Sequence, residues 1–279
     1  GYQHTVALKK YGTVWTWGGN YYGQLGDGNN NSRLIPIRVK NLIEIVVVAA
    51  GGEHSIAIKK DGTVWTWGNG GNGQLGNGSD RSSNIPVNVK GLTDVITAAG
   101  GYYHTVALKK DGTVWTWGSG GSGQLGNRTD ADSDIPINVE GLTDIIAVVA
   151  GSWHTVALKK DGTVWTWGAN NRGQLGCGDN TERTVPVKAK GLANISFVAA
   201  GGVQTITLKK DGTVYYCGPS HTGLWGENFY VRPVQVKTLN NIILISAGGG
   251  HNIALKKDGT VWTWGSGGSG QLGRPVDKT

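Results

Sequence analysis

The stretch that decides the fold is HTVALKKDGTVWTWG, His104 to Gly118. Its halves, His-Thr-Val-Ala-Leu and Thr-Val-Trp-Thr-Trp, are rich in the β-branched and aromatic residues that strands favour. They flank Asp111-Gly112, the strongest short hairpin signal, with positive φ expected at both residues. In the second half Trp115 and Trp117 alternate with Val114 and Thr116, so both indoles share one face of a strand. Burying a Trp removes ~200 Å² from water, worth at most ~5 kcal/mol gross at ~25 cal/mol per Å². A lone hairpin has nothing to bury two of them against.

The partner surface comes from repetition. Matching blocks begin at His4, His54, His104, His154, Gln204 and His251, in four steps of 50 residues and one of 47. After each block come a glycine-rich stretch, Gly-Gln-Leu-Gly (Gly73 to Gly76), Ile-Pro-Val (Ile85 to Val87) and an apolar run (Asp94 to Ala99). Each unit reads as four strands: the first at Pro86, the second at Val95, the third at His104 and the fourth at Thr113. Pro86 is placed at the head of its strand, where a missing N–H does least harm. No segment has a helical period. A small sheet with two apolar faces needs a copy on each side, and radial closure supplies both.

Counting strands sets the blade number. The third and fourth occur six times, the second five times, and the first five times with a sixth at Pro275-Val276, which makes 23. A ring of six four-stranded blades needs 24, and a seven-bladed ring, the alternative, would lack five. The reading is one all-β domain over residues 1–279, a propeller of six blades. The blade shared by the two chain ends is expected to have three strands.

The units Ala-Gly-x-x-His-Thr-Val-Ala-Leu, Asp-Gly-Thr-Val-Trp-Thr-Trp-Gly and Gly-Gln-Leu-Gly resemble RCC1 (regulator of chromosome condensation) repeats, six times over nearly the whole chain. The resemblance implies an RCC1-like β-propeller, in that family usually of seven blades. It also implies a binding role. Members include exchange factors for small GTPases, chromatin binders, a plant ultraviolet receptor, a bacterial protein inhibitor of β-lactamase and many bacterial surface or secreted proteins; a secreted or cell-surface bacterial protein is the expectation here. The exchange factor's inserted wedge and basic tail are not visible in this sequence, and the inhibitor's repeats are shorter. The receptor's Gly-Trp-Arg-His-Thr motif has its nearest counterpart in Gly151-Ser152-Trp153-His154-Thr155, with Trp one place late and no Arg.

Composition narrows the partners. With 48 Gly and only 7 Pro the chain is neither collagen-like nor a Pro-rich linker, and 12 Trp argue against disorder. The net charge of +7 comes without a basic run of nucleic-acid type, so nucleic acid is not the expected partner. No stretch approaches the ~18 apolar residues of a membrane span, and no signal peptide opens the chain. Met is absent, which reads as a mature form or an excised piece. Cys177 and Cys217 occupy different places in their units and do not form a disulfide framework.

Antiparallel order puts the two-to-three and four-to-one loops on one side of the disc and the hairpins on the other. The hairpin side carries Lys9-Lys10, Lys59-Lys60, Lys109-Lys110, Lys159-Lys160, Lys209-Lys210 and Lys256-Lys257. These twelve Lys less the five Asp at 61, 111, 161, 211 and 258 leave +7. Their uniform dispersal reads as solvated turns that protect sheet edges, against an anion-binding face as the alternative.

The opposite side carries variable residues on an invariant frame: Tyr2-Gln3, Gly52-Glu53, Tyr102-Tyr103, Ser152-Trp153, Gly202-Val203 and Gly249-Gly250 before each block, with Tyr21, Tyr22, Arg172 and His221 in the long loops. Tyr, Trp and Arg are the usual anchors of binding surfaces, and loops on a rigid frame carry function. The partner-binding candidates are Tyr2, Tyr21, Tyr22, Tyr102, Tyr103, Trp153, Arg172 and His221, with Tyr102, Tyr103 and Trp153 expected to lie together. A protein partner is expected first and a carbohydrate second, since Tyr and Trp also stack on sugars.

Chemistry is not expected. The repeated His lie on sheets ~10 Å apart, too far to share an ion, and are expected to bond backbone at the start of the third strand. Gly118 to Gly123 matches GxGxxG but lacks the following helix of a dinucleotide site. Asp130, Asp132 and Asp134 lack the later Gly and Glu of a calcium loop. Asn77-Gly78-Ser79 and Asn127-Arg128-Thr129 are glycosylation sequons only in a host that uses them. No Ser/His/Asp grouping, HExxH or CxxC occurs. No catalytic residue, metal or cofactor is assigned, and an enzyme with a carboxylate or His cluster at the propeller's mouth is the third reading.

Overall fold

The computed structural model describes residues 1–219 and 229–273. Among these residues there are 22 strands, all pairing antiparallel, and no helix. The first sheet is β1 (His4–Leu8), β2 (Val14–Gly18) and β3 (Arg33–Arg38). The second is β4 (Ile45–Ala50), β5 (His54–Lys59), β6 (Val64–Gly68) and β7 (Ser83–Asn88). The third is β8 (Val95–Gly100), β9 (His104–Lys109), β10 (Val114–Gly118) and β11 (Ser133–Asn138), and the fourth is β12 (Ile145–Ala150), β13 (His154–Lys159), β14 (Val164–Gly168) and β15 (Arg183–Lys188). The fifth is β16 (Ile195–Ala200), β17 (Thr205–Lys209), β18 (Val214–Pro219) and β19 (Phe229–Gln235), and the sixth is β20 (Ile242–Ala247), β21 (His251–Lys256) and β22 (Val261–Gly265).

These six sheets are the blades of a β-propeller. Inner strands β4, β8, β12, β16 and β20 pack in succession. Residues of all six units line one axial hollow of about 280 Å³. Six blades is therefore the architecture.

Three local expectations are corrected. First, the four four-stranded sheets are ordered second, third, fourth, first: the Pro86 strand β7 pairs with β6 of the preceding block and closes that blade. Among the described residues the first blade thus takes all three of its strands from residues 4–38 and none from the other end of the chain. The long loop folds back on its own blade because Thr66 Oγ1 donates to Leu75 O at 2.6 Å, which returns the chain to the edge it left. The expected strand at Pro275-Val276 lies outside the described residues. Second, Pro86 is not at the head of β7 but at its irregularity, where the register shifts between Thr66 and Gly68. An outer strand with a bulge tolerates a residue without an N–H. Third, the hairpin has one positive φ rather than two: Gly112 at +81°, with Gly112 N–H donating to Lys109 O at 3.0 Å. Asp111 stays at negative φ because its carboxylate closes the turn by accepting from Thr113 N–H at 3.0 Å and Thr113 Oγ1 at 2.6 Å.

The core lies between blades. Ile56, Ile58 and Val64 of the second blade pack on Val95, Ala98, Ala107 and Trp117 of the third. The alternation read from the sequence holds: Val64 and Thr66 face forward, and Trp115 and Trp117 face back. The second Trp of the pair is fully buried in the second, third and fourth blades. Gly76 makes room for it, since a Cβ there would lie 2.7 Å from Trp117 Nε1.

Candidate interaction face

The repeated polar residues are consumed by a clasp between blades. His54 Nε2 bonds Thr105 Oγ1 at 2.9 Å, Thr105 Oγ1 donates to Gln74 O at 3.1 Å, and Trp117 Nε1 donates to the same carbonyl at 2.9 Å. His and Gln of one blade thereby hold Thr and Trp of the next. The same clasp joins His4 to Ser55, His104 to Thr155 and His154 to Thr205. The His role is structural, as the sequence implied, and its side-chain partner is a hydroxyl of the next blade. Burial holds these imidazoles neutral, lowered to about 3 at His4, His54 and His104 and to about 4 at His154. Among the described residues no group of three His, Cys, Asp or Glu is placed to hold a metal ion. Asp132 of the acidic loop instead accepts from Gly120 N–H at 2.8 Å.

On the hairpin side, the first Lys of the pair lies over an aromatic ring of the fourth strand. Lys9 Nζ is 4.5 Å from the Trp15 centroid, Lys59 4.8 Å from Trp65, Lys109 5.8 Å from Trp115, Lys209 4.9 Å from Tyr215 and Lys256 4.6 Å from Trp262. In these five pairs the first Lys therefore shields the first ring of the fourth strand. The sequence reading missed this, although the fixed spacing of six residues between Lys and ring was there to be read.

The loop side gathers the aromatic candidates at the rim of the axial hollow. Tyr102 stacks on Trp153 with ring centroids 5.7 Å apart. Tyr103 sits edge-on to both, at 4.5 Å from Tyr102 and 5.5 Å from Trp153. Tyr2 reaches Tyr102 at 5.6 Å across the intervening second unit. That reach depends on Gly52, where a Cβ would lie 2.8 Å from Tyr102 O. Tyr21 and Tyr22 form an edge-on pair at 4.9 Å.

Glu53, absent from the candidates that the sequence pattern gives, acts electrostatically on both groups. Its charge raises the Tyr22 hydroxyl above the usual phenol range, and the Tyr103 hydroxyl is pushed up to about 12 by burial first and Glu53 second. Asn69 Nδ2 donates to Glu53 Oε2 at 2.9 Å and fixes the carboxylate. The signal was a lone acid at a position where other units carry Tyr, Trp, Gln, Val or Gly.

Of the other candidates, Arg172 sits in the long loop of the fourth blade, with its backbone N–H donating to Gln174 Oε1 at 2.9 Å. His221 lies outside the described residues.

The profile of the RCC1-like domain matches residues 1–279. The chain belongs to the RCC1-like domain family. Prp20p, the RCC1 of Saccharomyces cerevisiae, is similar at 26% identity and TM-score 0.86 over 99% of this chain and 73% of that one; that work describes binding to Gsp1p and histones. Yeast RCC1 (Prp20) in its complex with Kap60 matches at 25% identity and TM-score 0.82, covering 96% of this chain and 69% of that one. Human WBSCR16 matches at 25% identity and TM-score 0.84, over 98% and 76%. No helix among the described residues of this RCC1-like chain is long and apolar enough to cross a membrane.

Proposed function

We propose that this RCC1-like propeller is a non-enzymatic scaffold that binds a protein partner through its loop face, with Tyr2, Tyr22, Tyr102, Tyr103 and Trp153 as anchors. One observation carries the reading: aromatic side chains from the first, third and fourth blades converge into one contiguous surface at the rim of the axial hollow. Rings held edge-on and stacked by a rigid sheet array lose little entropy on docking, which is why such clusters dominate binding energy. The imidazoles of His4, His54, His104 and His154 are spent on the blade clasp, each buried and bonded to a hydroxyl of the next blade. The relatives' protein partners favour the same class of ligand.

The test is a capture experiment with the intact chain, run beside Tyr103→Ala plus Trp153→Ala and beside a hairpin-face control, Lys110→Ala. A partner retained by wild type and control but lost with the double variant supports the reading. Equal retention by all three refutes it. Saturable binding on a glycan array, abolished by Tyr103→Ala, moves the assignment to a lectin.

A further inference from the structure

We infer that the aromatic patch, taken as the docking surface just described, receives a cationic side chain of its protein partner, an arginine guanidinium, beside Glu53. Among Tyr2, Tyr22, Tyr102, Tyr103, Trp153 and Glu53, the glutamate is the one charged side chain. Its Oε2 accepts from Asn69 Nδ2, and Oε1 accepts no hydrogen bond from any described residue. No Lys or Arg among the described residues pairs with it. A half-buried carboxylate with an unused oxygen, in a protein of net charge +7, is a place where the chain's own cations are absent and a foreign one is attracted.

The rings add to that preference. Aromatic faces carry negative potential and attract cations laid over them. Glu53 follows Gly52, whose backbone lies so close to Tyr102 that a Cβ there would be 2.8 Å from Tyr102 O, so the carboxylate belongs to the edge of the patch, and its charge acts on the hydroxyls of Tyr22 and Tyr103. A guanidinium fits this combination better than an ammonium: it is flat, so it stacks on a ring while its edge N–H groups reach a carboxylate. An anionic ligand meets repulsion from the same carboxylate.

The probe is a fluorescein-labelled pentapeptide with a single central arginine, titrated into the intact protein by fluorescence anisotropy. Its counterpart carries citrulline, which keeps the side chain's shape and removes its charge. The arginine peptide should bind saturably and about tenfold more tightly than the citrulline peptide. Glu53→Gln should remove that difference while leaving the unfolding midpoint unchanged, and added salt should weaken the arginine peptide alone. Equal affinity for the two peptides, no saturable binding of the arginine peptide, or an unaltered preference in Glu53→Gln overturns the assignment. These failures are separate from failure of the docking reading. If Tyr103→Ala plus Trp153→Ala still loses the captured partner while the peptides do not discriminate, the surface stands and only its cation is wrong.

Discussion

The junction between the second and third blades has a four-stranded sheet on each side, whereas at the junction between the sixth and the first the first blade has, among the described residues, only β1, β2 and β3 and no strand in the place of β8, and the two junctions end in different states. At the former, Thr105 is fully buried under His54 and Val64 is fully buried against the Trp117 side of the next blade. At the latter, Thr5 is exposed, Trp17 is half-buried and Val261 is 64% exposed. Backbone bonds link successive blades from Tyr2 N–H to Gly52 O, Gly52 to Gly101 and Tyr102 to Ser152, onward to Gly202 N–H donating to Gly248 O. Among the described residues none joins the sixth blade to the first, and His251 makes no bond to Thr5. The difference teaches that burial here belongs to the junction: a blade supplies half of each core layer and depends on its neighbour for the other half.

The largest expected effect breaks the interior junction. Trp117→Ala removes a fully buried indole and its bond to Gln74, at a cost of about 3–5 kcal/mol in urea unfolding. Trp17→Ala at the seam should cost clearly less. Equal losses would mean that the seam is knitted in solution. His104→Ala removes one of the two buried hydrogen bonds of Thr155 Oγ1, leaving the one to Gln124 O, and should cost about 1–3 kcal/mol, while His251→Ala should stay within about 0.5 kcal/mol.

Acid should act on the same interior junctions. His4, His54, His104 and His154 have folded pKa values of about 3 to 4, below the unfolded value near 6.5. As pH falls below 6.5 the unfolded chain takes up protons that the folded chain refuses, so stability is full above that pH and is lost toward pH 4. Each such His steepens the fall by at most about 1.4 kcal/mol per pH unit. The lowered carboxylates of the hairpin Asp residues act in the same direction. Gln204 makes the bond to the next blade without a titrating group, donating to Gly248 O at 3.0 Å. His104→Gln should therefore flatten the dependence of the unfolding midpoint on pH between 6.5 and 4 (about one His of four), and an unchanged slope would show that these His are not protonated on unfolding.

The smallest effect sharpens the contrast from the seam side. Val261→Ala should change stability by no more than about 0.5 kcal/mol, where Val114→Ala, fully buried, should cost more than 1 kcal/mol. A large loss at Val261 in thermal unfolding would place a partner on that face in solution.

Much of the fold was legible because it is local. Alternation of Trp with Val and Thr fixed the faces of the fourth strand, Asp-Gly located the turns, and the 50-residue period set the number of blades. The turn conformation was misread because Asp111 accepts hydrogen bonds from Thr113, a side-chain interaction that the dipeptide pattern does not encode. At the site, the adjacency of Tyr102, Tyr103 and Trp153 followed from consecutive units. The arrival of Tyr2 at Tyr102 across Gly52 did not, because it skips a unit, and the role of Glu53 did not, because it depends on where side chains of three successive units point.

Periodicity along one strand is a short-range property, so the sequence alone determined which segments pair with their neighbours, how many sheets form and which loops share a side. Whether the Pro86 strand closes its own blade or opens the next, which hydroxyl each His holds, and which blade faces stay exposed were decided by the tertiary structure. Those outcomes depend on packing between residues some fifty positions apart, which the local pattern of a single unit does not contain.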